Sequence, residues 1–505
     1  MQMILRRSFL FPALALLAGA MALSSCSASG DDGVVDIAFI GEPDDPFEAG
    51  LRLSPAGQHI RAATVEGLVT LNANGEVVPA LAERWIVTED GLSYIFRLRN
   101  TEWSDGTPIT GNSVRDALKG AREGLRGTSL GIDLAPIEET LAMTGRVIEV
   151  RLTSPMPDLL HLLAQPEMGI LRRGAGSDNG GTGPMALSRE GDVAVLNALP
   201  PERRGTPETE DWQENYRQIR VRGLNVEAAL AAFAEGEVEV VLNGTLANLP
   251  LADTGPLSRG TVRLDAATGL FGLQVVRADG VMAEAPQREA IAMAIDRSDL
   301  MAPFNIGGWV STTRILPTVA VGEPLAGEER WASISLEERQ AIARRRILTW
   351  RAANDRQDSE LVMLSIAMPA GPGSDLLLRE LAADLEPIGV GLELAEDPAS
   401  ADLRLIDRAA RFAGERWYLN QFNCSLGNGL CSDLADDRLA EAETAADPVA
   451  YADLLAEAEA ALVETNAYIP LGAPVRWALV RGQIDGFAEN PWALHPLFPF
   501  ALRPI

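Results

Sequence analysis

The stretch that decides the fold covers residues 66–112 and reads EGLVTLNANGEVVPALAERWIVTEDGLSYIFRLRNTEWSDGTPITGN. Two short segments, residues 68–71 and 76–78, flank Asn74-Gly75. This pair readily adopts the positive φ angles that a two-residue hairpin turn requires. The stretch therefore opens with a predicted β-hairpin.

A second pair of strands follows in the same stretch. After a short helical turn predicted at residues 81–85, Asp90-Gly91 divides two extended segments, and apolar and polar side chains alternate along the second segment. The apolar face of that segment consists of Tyr94, Phe96 and Leu98. Thr110 then provides the N-cap of a helix. The apolar stripe of this helix is Val114, Leu118, Ala121 and Leu125.

Four sequence blocks in this region resemble a known family. Residues 66–68 (EGL), 79–85 (PALAERW), 89–99 (EDGLSYIFRLR) and 103–110 (WSDGTPIT) are similar, in this order, to the signature of the family-5 extracellular solute-binding proteins. Those proteins are the oligopeptide-, dipeptide- and nickel-binding receptors of ABC importers. Two later segments, GTGP at 181–184 and QREAIAMAIDR at 287–297, also resemble motifs of this family.

The resemblance implies an α/β, two-lobed fold like that of periplasmic binding proteins, with an extra small α/β domain in the first lobe. Transferred to this chain, lobe I is 34–265 with the insert at about 51–164, lobe II is 266–473, and 474–505 returns to lobe I. The lobes of such receptors close over a solute and hide it from water.

A βαβ pattern supports the α/β class without reference to any family. An apolar strand at 361–366 is followed by a helix whose predicted N-cap is Ser374, and then by a second strand at 390–394. Strands joined by a helical crossover pair in parallel. We therefore expect a parallel pair in the second half of the chain.

The first 25 residues have the features of an export signal. Arg6 and Arg7 precede an apolar run at residues 9–23, which is too short for a transmembrane span. Leu23-Ser24-Ser25-Cys26 resembles a lipobox, in which the cysteine receives the lipid, and residues 26–33 are a small polar tether. The alternative is a plain signal peptide with a chance cysteine.

The other two cysteines, Cys424 and Cys431, bracket a glycine-bearing turn. In an exported chain such a pair predicts a small disulfide loop. A metal site at these cysteines is less favoured because neither has a histidine near it in the sequence. We expect no metal and no cofactor.

Charge excludes one class of partner. The net charge is −28, and Lys119 is the only lysine. Phosphate backbones would be repelled, so a nucleic acid partner is not expected. A cationic ligand and a soluble, self-repelling surface are both compatible with this acidity.

Catalytic patterns are weak in this sequence. It has three histidines, His59, His161 and His495, far apart along the chain, and it lacks HExxH, GxSxG and P-loop patterns. A lipid-anchored envelope hydrolase is therefore the weaker alternative, as is a purely structural envelope lipoprotein. The binding-protein interpretation predicts no enzyme activity.

One motif of the peptide-binding family members is missing from this chain. Peptide-binding members carry a WxxDYxDP segment whose aspartate holds the amino terminus of the peptide, whereas residues 407–418 here read DRAARFAGERWY. Asp407 or Glu415 could substitute for that aspartate. Three arginines nevertheless make this region positive: Arg408, Arg411 and Arg416.

These arginines suggest a site for an anionic or amino-blocked solute, although a peptide is the default for the family. Arg416 and Trp417 are the predicted binding residues, because arginine grips a carboxylate with two parallel hydrogen bonds and indole adds apolar contact. Glu42, Phe47 and Trp309 are predicted at the rim of the cleft, from their places in the family order. The alternative is that the arginines are solvated or paired with acids.

The sequence thus predicts a binding lipoprotein of a bacterial ABC transporter. Its expected partners are a peptide or peptide-like solute, the permease subunits of the transporter, and a membrane contacted through the lipid at Cys26. We expect a monomer on the periplasmic side of the cell envelope.

Lipidation of Cys26 is the first testable prediction. When the protein is expressed in bacteria with radioactive palmitate, the wild type should carry label and the Cys26→Ala variant should not. Label that persists in the variant would contradict the lipobox interpretation.

Overall fold

The computed structural model describes residues 33–103, 105–172, 181–252, 260–316, 319–320, 323–324, 328–356, 360–445 and 447–503. The predicted signal peptide at 1–25, Cys26, and the tether as far as residue 32 lie outside the described residues. In the described part of the chain, no helix is long and apolar enough to cross a membrane.

The strands are, in chain order, β1 (Val34–Ile40), β2 (Val69–Leu71), β3 (Val77–Pro79), β4 (Ala82–Val87), β5 (Ser93–Leu98), β6 (Ile137–Met143), β7 (Val147–Leu152), β8 (Met185–Glu190), β9 (Val193–Ala198), β10 (Gln218–Leu224), β11 (Val240–Thr245), β12 (Val262–Asp265), β13 (Gly269–Val275), β14 (Val319–Ala320), β15 (Glu323–Pro324), β16 (Val362–Ala367), β17 (Val390–Leu394), β18 (Leu403–Ala409), β19 (Tyr468–Gly472) and β20 (Arg476–Val480).

The α-helices are α1 (Pro55–Thr64), α2 (Gly111–Gly124), α3 (Ser129–Asp133), α4 (Leu159–Leu163), α5 (Val226–Glu235), α6 (Ala285–Ala294), α7 (Leu336–Ala353), α8 (Pro372–Leu385), α9 (Glu415–Asn420), α10 (Asp433–Ala442), α11 (Pro448–Thr465) and α12 (Phe498–Ala501).

The first lobe is built on a seven-stranded sheet with the order β12-β20-β11-β1-β10-β9-β8. The central strand β1 pairs in parallel with β10 and β11, and its inward side chains Val35, Ile37 and Phe39 are fully buried. A strand that is buried on both faces and has parallel neighbours is typical of an α/β layer. Strand β20 brings the C-terminal part of the chain back into this sheet.

The second lobe is built on a five-stranded sheet with the order β17-β16-β18-β13-β19. Strands β16 and β17 pair in parallel, which confirms the βαβ prediction. The predicted N-cap of the intervening helix was wrong. Helix α8 begins at Pro372 after Gly371, and Ser374 is buried inside its first turn. Proline is well suited to the first turn because it has no N–H to satisfy there.

The stretch at 66–112 forms the predicted hairpin β2–β3 and half of a four-stranded sheet, β4-β5-β7-β6. Gly75 has φ +77°, but Asn74 does not have a positive φ and the Asn72 N–H donates to the Glu76 carbonyl at 2.9 Å, so the turn is longer than the predicted two-residue turn. The Thr110 side chain accepts the Ser113 N–H at 3.2 Å as the N-cap of α2. The predicted helical turn at 81–85 was wrong. Residues 82–85 belong to β4, where Trp85 pairs with Phe96, because pairing with β5 satisfies their backbone groups.

Two connections join the sheets of the two lobes, residues 265–269 and 472–476, which we call the crossover segments. Gly472 packs directly under Trp309: a Cβ atom at Gly472 would lie 2.2 Å from a ring carbon of Trp309. The Trp309 Nε1 donates to the Ala473 carbonyl at 2.8 Å. Trp309 therefore holds the second crossover segment in place.

Helix α1 is tied to the C-terminal segment through a buried histidine. His59 Nε2 accepts the His495 backbone N–H at 3.0 Å, so the proton of the imidazole is on Nδ1, which donates to the Pro55 carbonyl at 2.6 Å. His495 Nε2 lies 3.1 Å from Asp265 Oδ2. Burial is the main reason that the pKa of His59 is lowered to about 3.

A disulfide joins Cys424 and Cys431, with Cα atoms 5.3 Å apart. The loop is fixed at both ends, because Cys424 N donates to Asp436 Oδ2 at 2.9 Å and Leu430 N donates to the Val275 carbonyl at 2.8 Å. The second of these bonds attaches the loop to β13.

We expect no free thiol in the exported soluble domain that lacks Cys26. Replacing both Cys424 and Cys431 with serine should lower the free energy of unfolding by about 2–3 kcal/mol, because the unfolded chain loses a covalent constraint. Thiol counting after denaturation without reductant, and urea unfolding of both forms, check this. Two free thiols in periplasmic protein would contradict it.

The buried, neutral His59 should make stability depend on pH. Its folded pKa of about 3 is below the ordinary value of 6.5, so its stabilising contribution is complete above pH 6.5 and is lost as the pH falls toward 3. Between pH 6.5 and 5, the wild type should lose about 2 kcal/mol more unfolding free energy than the His59→Gln variant. If urea unfolding gave the same pH dependence for the two proteins, His59 would not be the source of the predicted loss of stability.

Candidate functional site

A cavity of about 300 Å³ lies where the two lobes meet. The first lobe contributes α1, the end of β11, the start of β20 and the segment at 492–495, and the second lobe contributes residues 407–411. The polar and aromatic lining residues are Gln58, His59, Gln165, Asn243, Asp265, Asp407, Arg408, Arg411, Arg476, Trp477, Trp492 and His495.

Two tryptophans form the apolar part of the first-lobe wall. Trp477 Nε1 donates to the Thr245 carbonyl at 2.9 Å, and its ring lies against Gly244. Trp492 Nε1 donates to the Gly75 carbonyl at 2.9 Å. The second bond connects the cavity wall to the β2–β3 hairpin. Both rings are thus fixed by hydrogen bonds at their polar edges and present apolar surface to the cavity.

An ion pair bridges the lobes beside the crossover. Arg476 Nη1, at the start of β20, donates to Asp407 Oδ1 on β18 at 2.6 Å, and Arg476 Nη2 donates to the Asp407 carbonyl at 3.1 Å. Both side chains are about nine-tenths buried. Each charge therefore depends on the other, and breaking the pair would leave a buried charge without its partner.

Arg411 reaches across the cavity to the first lobe. Its Nη1 donates to Gln165 Oε1 at 2.8 Å and its Nη2 donates to Glu167 Oε1 at 2.9 Å. Glu167 is buried. This contact ties the segment at 407–411, which is the end of β18 and the two residues after it, to residues 165–167 in the described conformation.

Arg408, on β18, is the arginine of the segment at 407–411 that has no acidic partner among the described residues. Its guanidinium donates to the amide oxygen of Gln421, and no carboxylate of the described residues lies within ion-pair distance of it. The Arg408 side chain is accessible to solvent inside the cavity that it lines, although protein surrounds it. Burial, and then the charge of Arg411, lower its pKa.

A second cavity, of about 250 Å³, shares Arg408, Ala409 and Arg411 with the first. Arg52 and Asp133 also line it. Burial raises the pKa of Asp133 to about 7, although the side-chain amide of Asn420 donates to it at 2.7 Å.

A third, largely apolar cavity of about 520 Å³ lies beside the crossover segments. Its wall includes Leu270, Ile306, Trp309, Ile315 and Tyr468. Among the five predicted ligand-binding residues, Trp309 is the one that lines this cavity, and it does not line the polar cavity between the lobes.

The structure separates the two residues predicted for the rim near the N-terminus from the polar cavity. Glu42 is exposed on a loop, where its backbone N–H donates to Asp45 Oδ2 at 2.9 Å. Phe47 packs against α1 and lies under the guanidinium of Arg189, 3.8 Å from the ring centre. Neither residue lines the polar cavity.

The structure buries both Arg416 and Trp417, the two residues that the sequence suggested for binding the solute. Arg416 is 4% exposed and its Nη2 donates to Glu443 Oε1 at 2.8 Å, so its charge is already compensated. Trp417 is 2% exposed and packs edge-on against Tyr418, although it contributes to the wall of the second cavity. The alternative of arginines paired with acids therefore describes Arg416, and it also describes Arg411.

Sequence reasoning did not place His59 and His495 in a site, because 435 positions separate them. The structure brings them together with Asp265, and His161 lies against Trp492 with ring centres 5.7 Å apart. The described residues contain no group of three or more His, Cys, Asp or Glu side chains that could hold a metal ion.

Several comparisons relate this chain to known proteins. Five Brucella proteins are 26% identical over 178 residues, and each alignment spans 33% of the relative. The periplasmic oligopeptide-binding protein OppA of Salmonella typhimurium is 20% identical over 474 residues, which are 84% of each chain. The structure of Haemophilus influenzae OppA in complex with the peptide RPPGFSPFR superposes with a TM-score of 0.77 at 17% identity, covering 94% of this chain and 99% of that one. This likeness shows the two-lobed α/β fold.

The model of the bacterial extracellular solute-binding proteins, family 5 (middle region), matches residues 76–425. That range includes the four-stranded sheet β4-β5-β7-β6, the wall at 407–411 and most of the second lobe. This chain therefore belongs to the family-5 bacterial extracellular solute-binding proteins, which are binding proteins and not enzymes.

Proposed function

We propose that the protein is the substrate-binding lipoprotein of a bacterial ABC importer, which captures a peptide or peptide-like solute between its lobes and delivers it to an inner-membrane permease. The observation that carries this proposal is the polar cavity at the lobe junction, with walls from both lobes beside two crossover segments. A solute in that position contacts both lobes at once, and its binding therefore favours the closed arrangement.

The proposed lobes are residues 34–265 with 474–505, and residues 266–473. Sheet membership supports this division, because β1, β8–β12 and β20 share one sheet whereas β13 and β16–β19 share the other. The small sheet β4–β7 supports a separate insert at about 51–164. In this scheme the two crossover segments are the hinge.

The described conformation has the contacts expected of a closed form. The Asn420 amide on α9 donates to Asp133 in the insert at 2.7 Å, and Arg411 reaches Gln165 and Glu167. An apolar cluster also continues from the insert into α9, α10 and α11. Opening the lobes would break these contacts and expose the groups to water. A solute that touches both lobes adds further contacts to the closed arrangement and therefore stabilises it.

The class of solute is proposed from the relatives. Salmonella OppA is named as an oligopeptide-binding protein, and the Haemophilus OppA structure contains a nine-residue peptide. A lipid at Cys26 would keep the receptor at the membrane beside its permease, and a periplasm-facing monomer is sufficient for that role.

The histidines beside the cavity do not support the hydrolase alternative. Both nitrogens of His59 are engaged in hydrogen bonds, one with Pro55 and one with His495. The strongly lowered pKa of His59 removes it as a base at neutral pH, since an effective general base has a pKa near the working pH. The hydrogen bonds of the histidines thus fix the first-lobe wall of the cavity.

A screen of peptides and related solutes should identify a ligand that raises the melting temperature and reduces the radius of gyration in small-angle scattering. A solute present at about 100 times its Kd should stabilise the protein by about 2.7 kcal/mol. The Ala409→Trp variant, whose side chain would fill the space shared by the first two cavities, should lose both responses while keeping the circular dichroism spectrum of the wild type. Chemical turnover of the stabilising solute would instead support the hydrolase.

A further inference from the structure

We propose that the segment at 407–411 is an anion-binding subsite, in which Arg408 receives the carboxylate of a solute that carries no positive charge at its other end. This inference rests on the proposed solute-binding function and specifies the chemistry of the same cavity. It transfers the anion role from Arg416, which is paired with Glu443, to Arg408.

The first step of the argument is the charge balance of the cavity. Asp407 is satisfied by Arg476 at 2.6 Å, and Glu167 by Arg411 at 2.9 Å. Asp265 accepts the Asn490 backbone N–H at 3.0 Å and lies 3.1 Å from His495. Each carboxylate at this junction therefore already has a donor inside the protein.

The second step is the excess of positive charge. Arg408 has only the neutral amide of Gln421 as its side-chain partner among the described residues. Arg52, which lines the adjoining cavity, is exposed and has no carboxylate within ion-pair distance in the described part of the chain. Because Asp133 has a pKa raised to about 7, the negative charge available in that cavity also decreases below neutral pH.

The third step concerns position. Arg408 and Arg411 both border the two cavities, and the charge of Arg411 lowers the pKa of Arg408, so the two guanidinium groups repel each other. A carboxylate between them would remove this repulsion and accept two parallel hydrogen bonds from Arg408. Arg408 borders both cavities and has no acidic partner among the described residues, so its charge matches the single negative charge of a carboxylate.

The fourth step excludes a free amino terminus as the preferred partner. An ammonium group in this cavity would meet Arg408, Arg411 and Arg476, while each nearby carboxylate is engaged. The rings of Trp477 and Trp492 on the opposite wall favour an apolar body. The inferred class of solute is thus an amino-blocked peptide or a similar amphipathic carboxylate.

The test uses the exported full-length protein and a dipeptide library made in four matched end-forms: free, N-acetylated, C-amidated, and blocked at both ends. Native mass spectrometry ranks the library members, and calorimetry measures the best sequence in all four forms. We expect the N-acetylated form, which has only the carboxylate charge, to bind most tightly.

Substitution of the arginine gives the second readout. Arg408→Gln should weaken binding of the N-acetylated form by about 10- to 100-fold, the range for losing hydrogen bonds to a charged group, and Arg408→Glu should shift the preference to the C-amidated form with its free amine. Arg84→Gln is the matched control, because Arg84 is exposed on β4 and lies outside the cavities. It should bind as the wild type does.

Tighter wild-type binding of a free-amine form, or an unchanged affinity in Arg408→Gln, would overturn the inference. Failure of every N-acetylated library member to bind would also count against it. If another solute still closes the lobes in scattering, the proposed function stands while the anion subsite fails. If no solute closes them, the proposed function itself fails.

Discussion

The structure depends on one constraint: the two lobes are separate sheets that the chain connects twice, at 265–269 and 472–476. The ion pair, the tryptophan contact and the cavity at the junction all lie beside these two connections. Asp407 and Arg476 belong to different sheets, yet their buried ion pair lies beside these connections. Trp309 fixes the second connection through Gly472 and Ala473. The shape of a cavity at this place therefore depends on the relative position of the lobes. A receptor that closes over its solute requires this dependence.

Charge at the junction differs from charge over the whole molecule. The chain carries a net charge of −28, but its cavity walls contain Arg408, Arg411 and Arg476, and the acids beside them are already paired. A large net charge of one sign disfavours self-association, and the local excess of arginine at the junction favours an anionic solute. These two facts are compatible because the junction is shielded by protein, whereas most of the acids face water.

Much of the fold could be predicted because its signals are local. The Asn74-Gly75 turn, the alternation of Tyr94, Phe96 and Leu98, and the Thr110 cap are encoded within a few residues. The error at 81–85 arose because a segment with helix-forming residues is held as a strand by pairing with β5. Tertiary pairing of this kind overrides local propensity, and the sequence does not display it.

The site was predicted less well, for a physical reason. Its members come from α1, β11, β18, β20 and the segment at 492–495, so only the fold brings them together. The sequence drew attention to the three arginines near 411, but it could not show that Arg416 would pair with Glu443. One signal was available: Leu403 and Leu405 are buried along β18, so strand alternation places Arg404 and Arg408 on the opposite face.

The most direct measurement of the central claim is a crystal structure of the protein with the solute that stabilises it most. The account predicts that the solute lies between Trp477 and Arg408, touches both lobes, and leaves the Asp407–Arg476 ion pair intact. A solute bound only beside Trp309 in the apolar cavity, or on the outer surface of one lobe, would contradict it.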